Sequence, residues 1–151
     1  MPTKIQNLRA VGESLVAKTF ACPKCKRART LCRLPNNFKC ANLICDFCGY
    51  LAQVTATTVA DIINPPPRIV GAAWRPQRDR MNAGIFFPLF IVLITRDRRH
   101  GSIFYLSADL QSSRLFKRRT KLRDTARRAG WQGFRYDLAS VRSRLVRLHS
   151  F

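Results

Sequence analysis

Acidic residues, histidines and long apolar runs are all scarce in this sequence. The two histidines, His100 and His149, stand in no recognisable motif, and there is no Ser/His/Asp arrangement, Walker loop or dinucleotide fingerprint. The longest apolar run, residues 85–94, is too short to span a bilayer and is interrupted by Pro88. The first twenty residues lack the apolar stretch of a secretory signal. We therefore expect a chain without a membrane partner, in a reducing cytoplasm where cysteines remain thiolates or metal ligands.

The shortage of carboxylates leaves the positive charge unbalanced. The 151 residues include 28 Lys+Arg against 8 Asp+Glu, giving a formal net charge of +20 and a pI near 11.3. Residues 111–151 carry twelve of the basic residues and two of the acidic ones. A chain this basic repels itself and requires an anionic partner, of which nucleic acid is the usual one. The composition thus predicts a nucleic-acid-binding protein whose main anion-binding surface lies in its C-terminal third.

Six cysteines are present, and four of them form two C-x2-C pairs. Cys22 and Cys25 make the first pair, and Cys45 and Cys48 make the second after an intervening 19 residues. This spacing is typical of a four-cysteine zinc ribbon, in which the four thiolates close a tetrahedron around a structural Zn²⁺. The alternative is a set of free or redox-active thiols. The remaining Cys32 and Cys40 are expected to be small buried apolar residues, although exchange of Cys40 for one ligand stays open.

The residue periodicities predict a mixed α/β (α+β) protein with a central mixed sheet. In chain order the expected elements are helix 7–20, strand 50–58, helix 71–82, strand 85–95, strand 102–107, helix 108–116, and strands 131–138 and 145–148. In the strand at 50–58, alternation places Ala52 and Val54 on one face and Gln53 and Thr55 on the other. We expect one domain over residues 1–151, with the zinc ribbon inserted at 20–50.

Three stretches together resemble the catalytic domain of the DpnI-type restriction endonucleases, the Dam-replacing family. They are Asn7-Leu8-Arg9-Ala10-Val11-Gly12-Glu13, the two cysteine pairs, and Thr125-Ala126-Arg127-Arg128-Ala129-Gly130-Trp131-Gln132-Gly133 followed by Asp137-Leu138. The resemblance covers almost the whole chain. It implies a restriction-endonuclease-like mixed sheet flanked by helices, with the zinc ribbon inserted before the catalytic strand.

The resemblance also implies where a PD-(D/E)xK nuclease site would lie, and this sequence departs from that pattern at every position. The first acid corresponds to Asn42, and the Glu-x-Lys pair corresponds to Gln53 and Thr55. Because Mg²⁺ prefers carboxylate oxygens, two amides are poor substitutes, and the lysine is missing. We therefore expect neither bound Mg²⁺ nor strand cleavage. Glu13, which matches a family glutamate, is the one acid left as a candidate for residual activity.

The remaining candidates are basic residues for DNA contact. They fall in a C-terminal run and in the ribbon: Arg118, Arg119, Lys121, Arg123, Arg127 and Arg128, and Lys24, Lys26 and Arg27. The leading hypothesis is a protein that binds double-stranded DNA on an inactivated nuclease scaffold, with a regulatory or methylation-sensing role and nucleoid association. One alternative is an active or partner-dependent Mg²⁺-dependent endonuclease, and another is an RNA-binding zinc-ribbon protein. A homodimer also stays open.

Overall fold

The computed structural model describes the backbone of residues 4–151 and the side chains from residue 7 onward. Its strands form a six-stranded mixed sheet and a separate three-stranded sheet, joined by two α-helices and short 3-10 turns. The elements are α1 Lys4–Thr19, β1 Leu31–Arg33, β2 Leu43–Cys45, β3 Leu51–Thr58, β4 Arg68–Ala73, α2 Trp74–Asn82, β5 Leu89–Ile94, β6 Gly101–Leu106, β7 Phe116–Arg118, β8 Gly133–Asp137 and β9 Val146–Ser150.

The six-stranded sheet, which we call the main sheet, has the strand order β1-β2-β3-β5-β6-β9. Its β3–β5 pair is parallel and every other neighbouring pair is antiparallel. All six residues of β5 are buried, as expected of an apolar strand that is covered on both faces. The side chains of β3 alternate between the two faces, so Val54 and Thr55 point into different layers.

Helix α1 covers the face of the main sheet that carries Val54. Val16 of α1 packs there with Phe90 and Val92 of β5. The helix approaches β3 closely because Gly12 has no side chain, since a Cβ at that position would lie 2.8 Å from the Cβ of Ala56. This contact sets the distance between α1 and the main sheet.

The three-stranded sheet, which we call the second sheet, has the antiparallel order β4-β8-β7 and covers the opposite face of the main sheet. Its inward side chains, including Ile69, Phe134 and Tyr136, pack against Leu89 and Ile91 of β5. Ring contacts between Phe134, Tyr136 and their neighbours complete this core. The chain is therefore layered as α1, main sheet, second sheet.

These elements confirm the predicted mixed fold and correct several of its details. Residues 71–73 are extended and belong to β4, so the expected helix 71–82 begins only at Trp74. The expected helix 108–116 is wrong, because those residues form two short 3-10 turns that lead into β7. Strands β1 and β2 of the cysteine region were not expected. Within the part of the chain that the structure describes, no helix has the length and apolarity needed to cross a membrane.

Candidate metal centre and nucleic-acid interface

The two C-x2-C pairs fold into a matched pair of turns. In the first turn, the amide of Lys26 donates to the carbonyl of Cys22 over 2.9 Å, and in the second the amide of Gly49 donates to the carbonyl of Cys45 over 2.9 Å. Both residues that follow the second cysteine have a positive φ, 66° at Lys26 and 77° at Gly49. The left-handed backbone at these positions turns each chain sharply and aims both of its thiols inward.

The four thiols of Cys22, Cys25, Cys45 and Cys48 form a cluster that could hold a metal ion. All four Sγ atoms lie within 4.8 Å of one another, with 3.6 Å between Cys22 and Cys48 and 3.7 Å between Cys25 and Cys45. Sulfur ligands placed tetrahedrally at the Zn–S distance of about 2.3 Å are separated by about 3.8 Å. The observed separations therefore fit a single tetrahedral ion, and four protein ligands would leave no open position for water or substrate.

The surroundings of Cys45 favour its thiolate form. Burial acts to raise the pKa of this thiol, but the hydroxyl of Thr30 and the backbone amides of Cys48 and Phe47 outweigh it and lower the pKa to about 6. The Thr30 hydroxyl lies 3.2 Å from the Cys45 sulfur. Because a metal binds the thiolate, these hydrogen bonds favour the metal-binding form of Cys45, whereas burial raises the pKa of the neighbouring Cys48 thiol to about 11.

Cys32 and Cys40 lie outside the four-thiol cluster, and the expectation that both are buried is wrong. Cys32 is exposed on β1, with its sulfur 3.7 Å from a carboxylate oxygen of Asp46. Cys40 is only partly buried, in the segment that joins β1 to β2. Neither thiol belongs to the group of side chains that could hold the ion.

Asn42, Gln53 and Thr55 come together where β3 begins, on the side of the main sheet that faces β4 and α2. The side-chain oxygen of Asn42 accepts from the backbone amide of Val54 over 2.7 Å, directly between the other two positions. Gln53 donates through Nε2 to Oε1 of Gln77 on α2 over 3.0 Å, and the Thr55 hydroxyl donates to the carbonyl of Val70 over 3.4 Å. The geometry thus confirms that Gln53 and Thr55 share one face.

Gln77 is a member of this polar group that the sequence did not reveal. It is 2 % exposed and pairs with Gln53, which is 5 % exposed. Gln77 lies on a helix and its partner lies on a strand 24 positions earlier, and no sequence motif indicates such a pair. We call Asn42, Gln53, Thr55 and Gln77 the amide cluster. In the described part of the chain, no side-chain hydrogen bond of its members involves a carboxylate.

Glu13 is buried on α1 and is engaged by a cation of the ribbon. It is 3 % exposed on α1, and one of its carboxylate oxygens forms an ion pair with Nε of Arg33 on β1 over 3.0 Å. Helix α1 covers the Val54 face of β3, whereas Gln53 and Thr55 point to the opposite face. Among the described residues, Glu13 pairs with Arg33 and forms no hydrogen bond with Asn42, Gln53 or Thr55.

The predicted basic run forms the long turn between β7 and β8, residues 119–132, which we call the basic loop. Arg118 ends β7, and the five other C-terminal candidates lie within the loop: Arg119, Lys121, Arg123, Arg127 and Arg128. All six are exposed, and none forms an ion pair with a described residue. Their charge therefore faces solvent without an internal counter-charge.

The basic loop is held in place by its backbone. The amides of Leu122 and Gly130 donate to the carbonyls of Trp131 and Leu122, and the Trp131 amide donates to the carbonyl of Arg128 over 3.0 Å. Gly130 has φ +77°, so the chain turns tightly at residues 129–131. The Arg128 guanidinium lies 4.6 Å from the centroid of the half-buried Trp131 ring. The cations of the basic loop are thus carried by a hydrogen-bonded backbone.

The ribbon candidates form a second exposed basic group on the α1 side of the main sheet. Lys24, Lys26 and Arg27 are exposed, and the Arg27 guanidinium lies 3.7 Å from the centroid of the Phe47 ring. The ribbon core, with Cys22 and Leu31, packs against the C-terminal end of α1. The ribbon therefore continues the main sheet through β1 and β2 and packs against α1, whereas the basic loop belongs to the second sheet.

These features define a class of protein: a strongly basic α+β chain with a mixed sheet and a four-cysteine site that could hold a metal ion. The sequence model of the family described as DpnI, the Dam-replacing family, matches residues 2–146. The chain therefore belongs to this restriction-endonuclease-like family. No curated protein sequence matches it with significant similarity.

Proposed function

We propose that this protein binds double-stranded DNA without cutting it, on a nuclease scaffold whose catalytic positions have become structural. Its net charge of +20 and its family both support DNA as the partner. A regulatory or methylation-sensing role is a natural use of such a scaffold, because these roles require recognition of DNA rather than hydrolysis.

The observation that carries this proposal is the state of the amide cluster. Asn42, Gln53 and Thr55 stand where the family resemblance implies two acids and a lysine, and each side chain hydrogen-bonds to a neighbour within the protein. Neutral amide oxygens supply little of the negative charge that Mg²⁺ requires. Without the ion and without the lysine, nothing in the cluster activates water for attack on a phosphodiester.

We also propose that the four-cysteine site is a structural Zn²⁺ centre. Cys22, Cys25, Cys45 and Cys48 would hold the ion, and the separations between their sulfurs fit a closed tetrahedron. An ion in that position stabilises the ribbon by joining its two halves. The ribbon in turn positions the start of β3, because Cys48 lies only three residues before Leu51.

A connected series of contacts joins the ribbon to the basic loop through the interior of the protein. The ribbon leads into β3, and Gln53 near the start of β3 bonds Gln77 of α2. The Trp74 amide at the start of α2 then donates to the carbonyl of Gln132 in the basic loop over 2.9 Å. The buried amide cluster is therefore part of the interior contacts that connect the elements carrying the two basic groups.

A supercoiled plasmid assay tests the absence of cleavage. Unmethylated and adenine-methylated plasmids are incubated with stoichiometric protein and either Mg²⁺ or Mn²⁺, and the fractions of nicked and linear DNA are measured. We expect both plasmids to remain supercoiled while their mobility is retarded. Stoichiometric conversion to linear DNA would show that the amide cluster does not silence the nuclease.

A competition experiment tests the partner. Labelled duplex DNA bound at a fixed salt concentration is challenged with unlabelled duplex DNA or with structured RNA of the same length. We expect duplex DNA to compete more strongly, because A-form RNA presents a deep, narrow major groove and a different spacing of its backbone. Stronger competition by the RNA would replace DNA with RNA as the proposed partner.

A further inference from the structure

The outer face of the second sheet, which points away from the main sheet, carries exposed and partly exposed side chains. Alternation along β8 sends Phe134 and Tyr136 inward to the core, so Arg135 points outward. On the neighbouring strands Lys117 and Val70 are exposed on the same outer face. In the registers of both strand pairs, Val70 and Lys117 stand directly opposite Arg135.

Lys117 and Arg135 place two like charges side by side. Residues directly opposite each other in an antiparallel pair have Cβ atoms about 5 Å apart, and like charges at that position destabilise the sheet. No described carboxylate forms an ion pair with either cation. In addition, Nε of Arg135 is buried and has no hydrogen-bond partner among the described residues. A guanidinium that is partly desolvated and unpaired next to a second cation fits an external anion.

The same face carries the indole of Trp131. A Cβ on Gly133, two residues before Arg135 on β8, would lie 2.8 Å from the Trp131 ring, so the ring lies against the backbone there. Arg128 stacks over the same ring. The outer face is therefore continuous with the basic loop.

We propose that Lys117 and Arg135 bind backbone phosphates of duplex DNA on the outer face of the second sheet, which extends the interface of the basic loop. This inference rests on the proposed function, because it assigns further contacts to the same partner. Sequence reasoning did not assign Arg135 to DNA because it lies in a strand between two core aromatics.

The test is the salt dependence of duplex binding by the variant Lys117→Met/Arg135→Met. Methionine keeps most of the apolar stem of each side chain while it removes both charges. Each lost phosphate contact lowers the magnitude of the slope of log K against log salt by about 0.9, so we expect a decrease of about 0.9 to 1.8. Between 50 and 200 mM salt, the wild-type protein should thus lose about 4- to 12-fold more affinity than the variant.

A matched control removes two charges elsewhere. Arg96→Met/Arg99→Met changes two exposed arginines in the turn between β5 and β6, two strands of the main sheet and not of the second sheet. A slope change no larger than that of this control would overturn the inference. So would a melting temperature of the Lys117/Arg135 variant several degrees below that of the wild type at low salt, because removing a repulsive pair should not destabilise the free protein.

The two proposals fail in different ways. If the wild-type protein does not bind duplex DNA at low salt, the proposed function itself is wrong. If the wild-type protein binds, and variants of the basic loop weaken binding while the Lys117/Arg135 variant behaves like its control, only the role of the outer face is wrong.

Discussion

Replacement of Arg118, Arg119 and Arg123 by alanine is predicted to weaken DNA binding at all sequences and to make it less dependent on salt. All three side chains are exposed and form no ion pairs among the described residues. Loss of three phosphate contacts reduces the magnitude of the salt slope by about 2.7. When the salt concentration is raised from 50 to 200 mM, the affinity of the variant for DNA should therefore fall by a factor about 40 times smaller than that of the wild type.

Fluorescence anisotropy with a labelled duplex over a series of salt concentrations measures this slope directly. The matched control replaces three exposed arginines of the turn after β5 with alanine: Arg96, Arg98 and Arg99. The melting temperatures of both variants should stay close to that of the wild type, since the backbone bonds of the basic loop are unaffected. Equal slopes for the loop variant and the wild type would refute the assignment of the basic loop to phosphate binding.

Three further predictions concern the scaffold. Gly12→Ala should lower the free energy of unfolding by about 1–3 kcal/mol, measured by urea denaturation, because its Cβ would meet that of Ala56 at 2.8 Å; an unchanged midpoint would contradict this packing. Gln77→Leu should cost about 1–3 kcal/mol because it leaves Gln53 buried and unpaired, whereas Leu at both positions should cost clearly less; equal losses would exclude the pairing. Elemental analysis should find one zinc per folded chain, and Cys45→Ser should reduce it; folded wild-type protein without metal would refute the site.

The sequence predicts those parts of the structure that depend on local patterns. The spacing within each cysteine pair predicts that two thiols share one short turn, and the pairing of β1 with β2 joins the two halves of the four-thiol cluster. The alternation in β3 likewise predicts that Gln53 and Thr55 share a face, since side chains in a strand alternate regardless of the rest of the fold.

Features that depend on tertiary contacts were missed or wrongly predicted. Residues 71–73 were expected to be helical, but pairing of β4 with β8 holds the chain extended up to Ala73. The apolar residues of segment 108–116 are spaced as in a helix, but the segment forms turns that place Leu115 and Phe116 in the core. Gln77 could not be found because its partner lies on a strand that is distant in sequence.

The central claim is that the protein holds duplex DNA and leaves it intact, and one measurement tests both parts on the same molecules. An end-labelled duplex is titrated to saturation in Mg²⁺, and the bound fraction is then recovered and analysed under denaturing conditions. The account predicts a saturable, salt-sensitive complex from which full-length strands are recovered. Shortened strands in proportion to bound protein, or the absence of any complex at low salt, would contradict it.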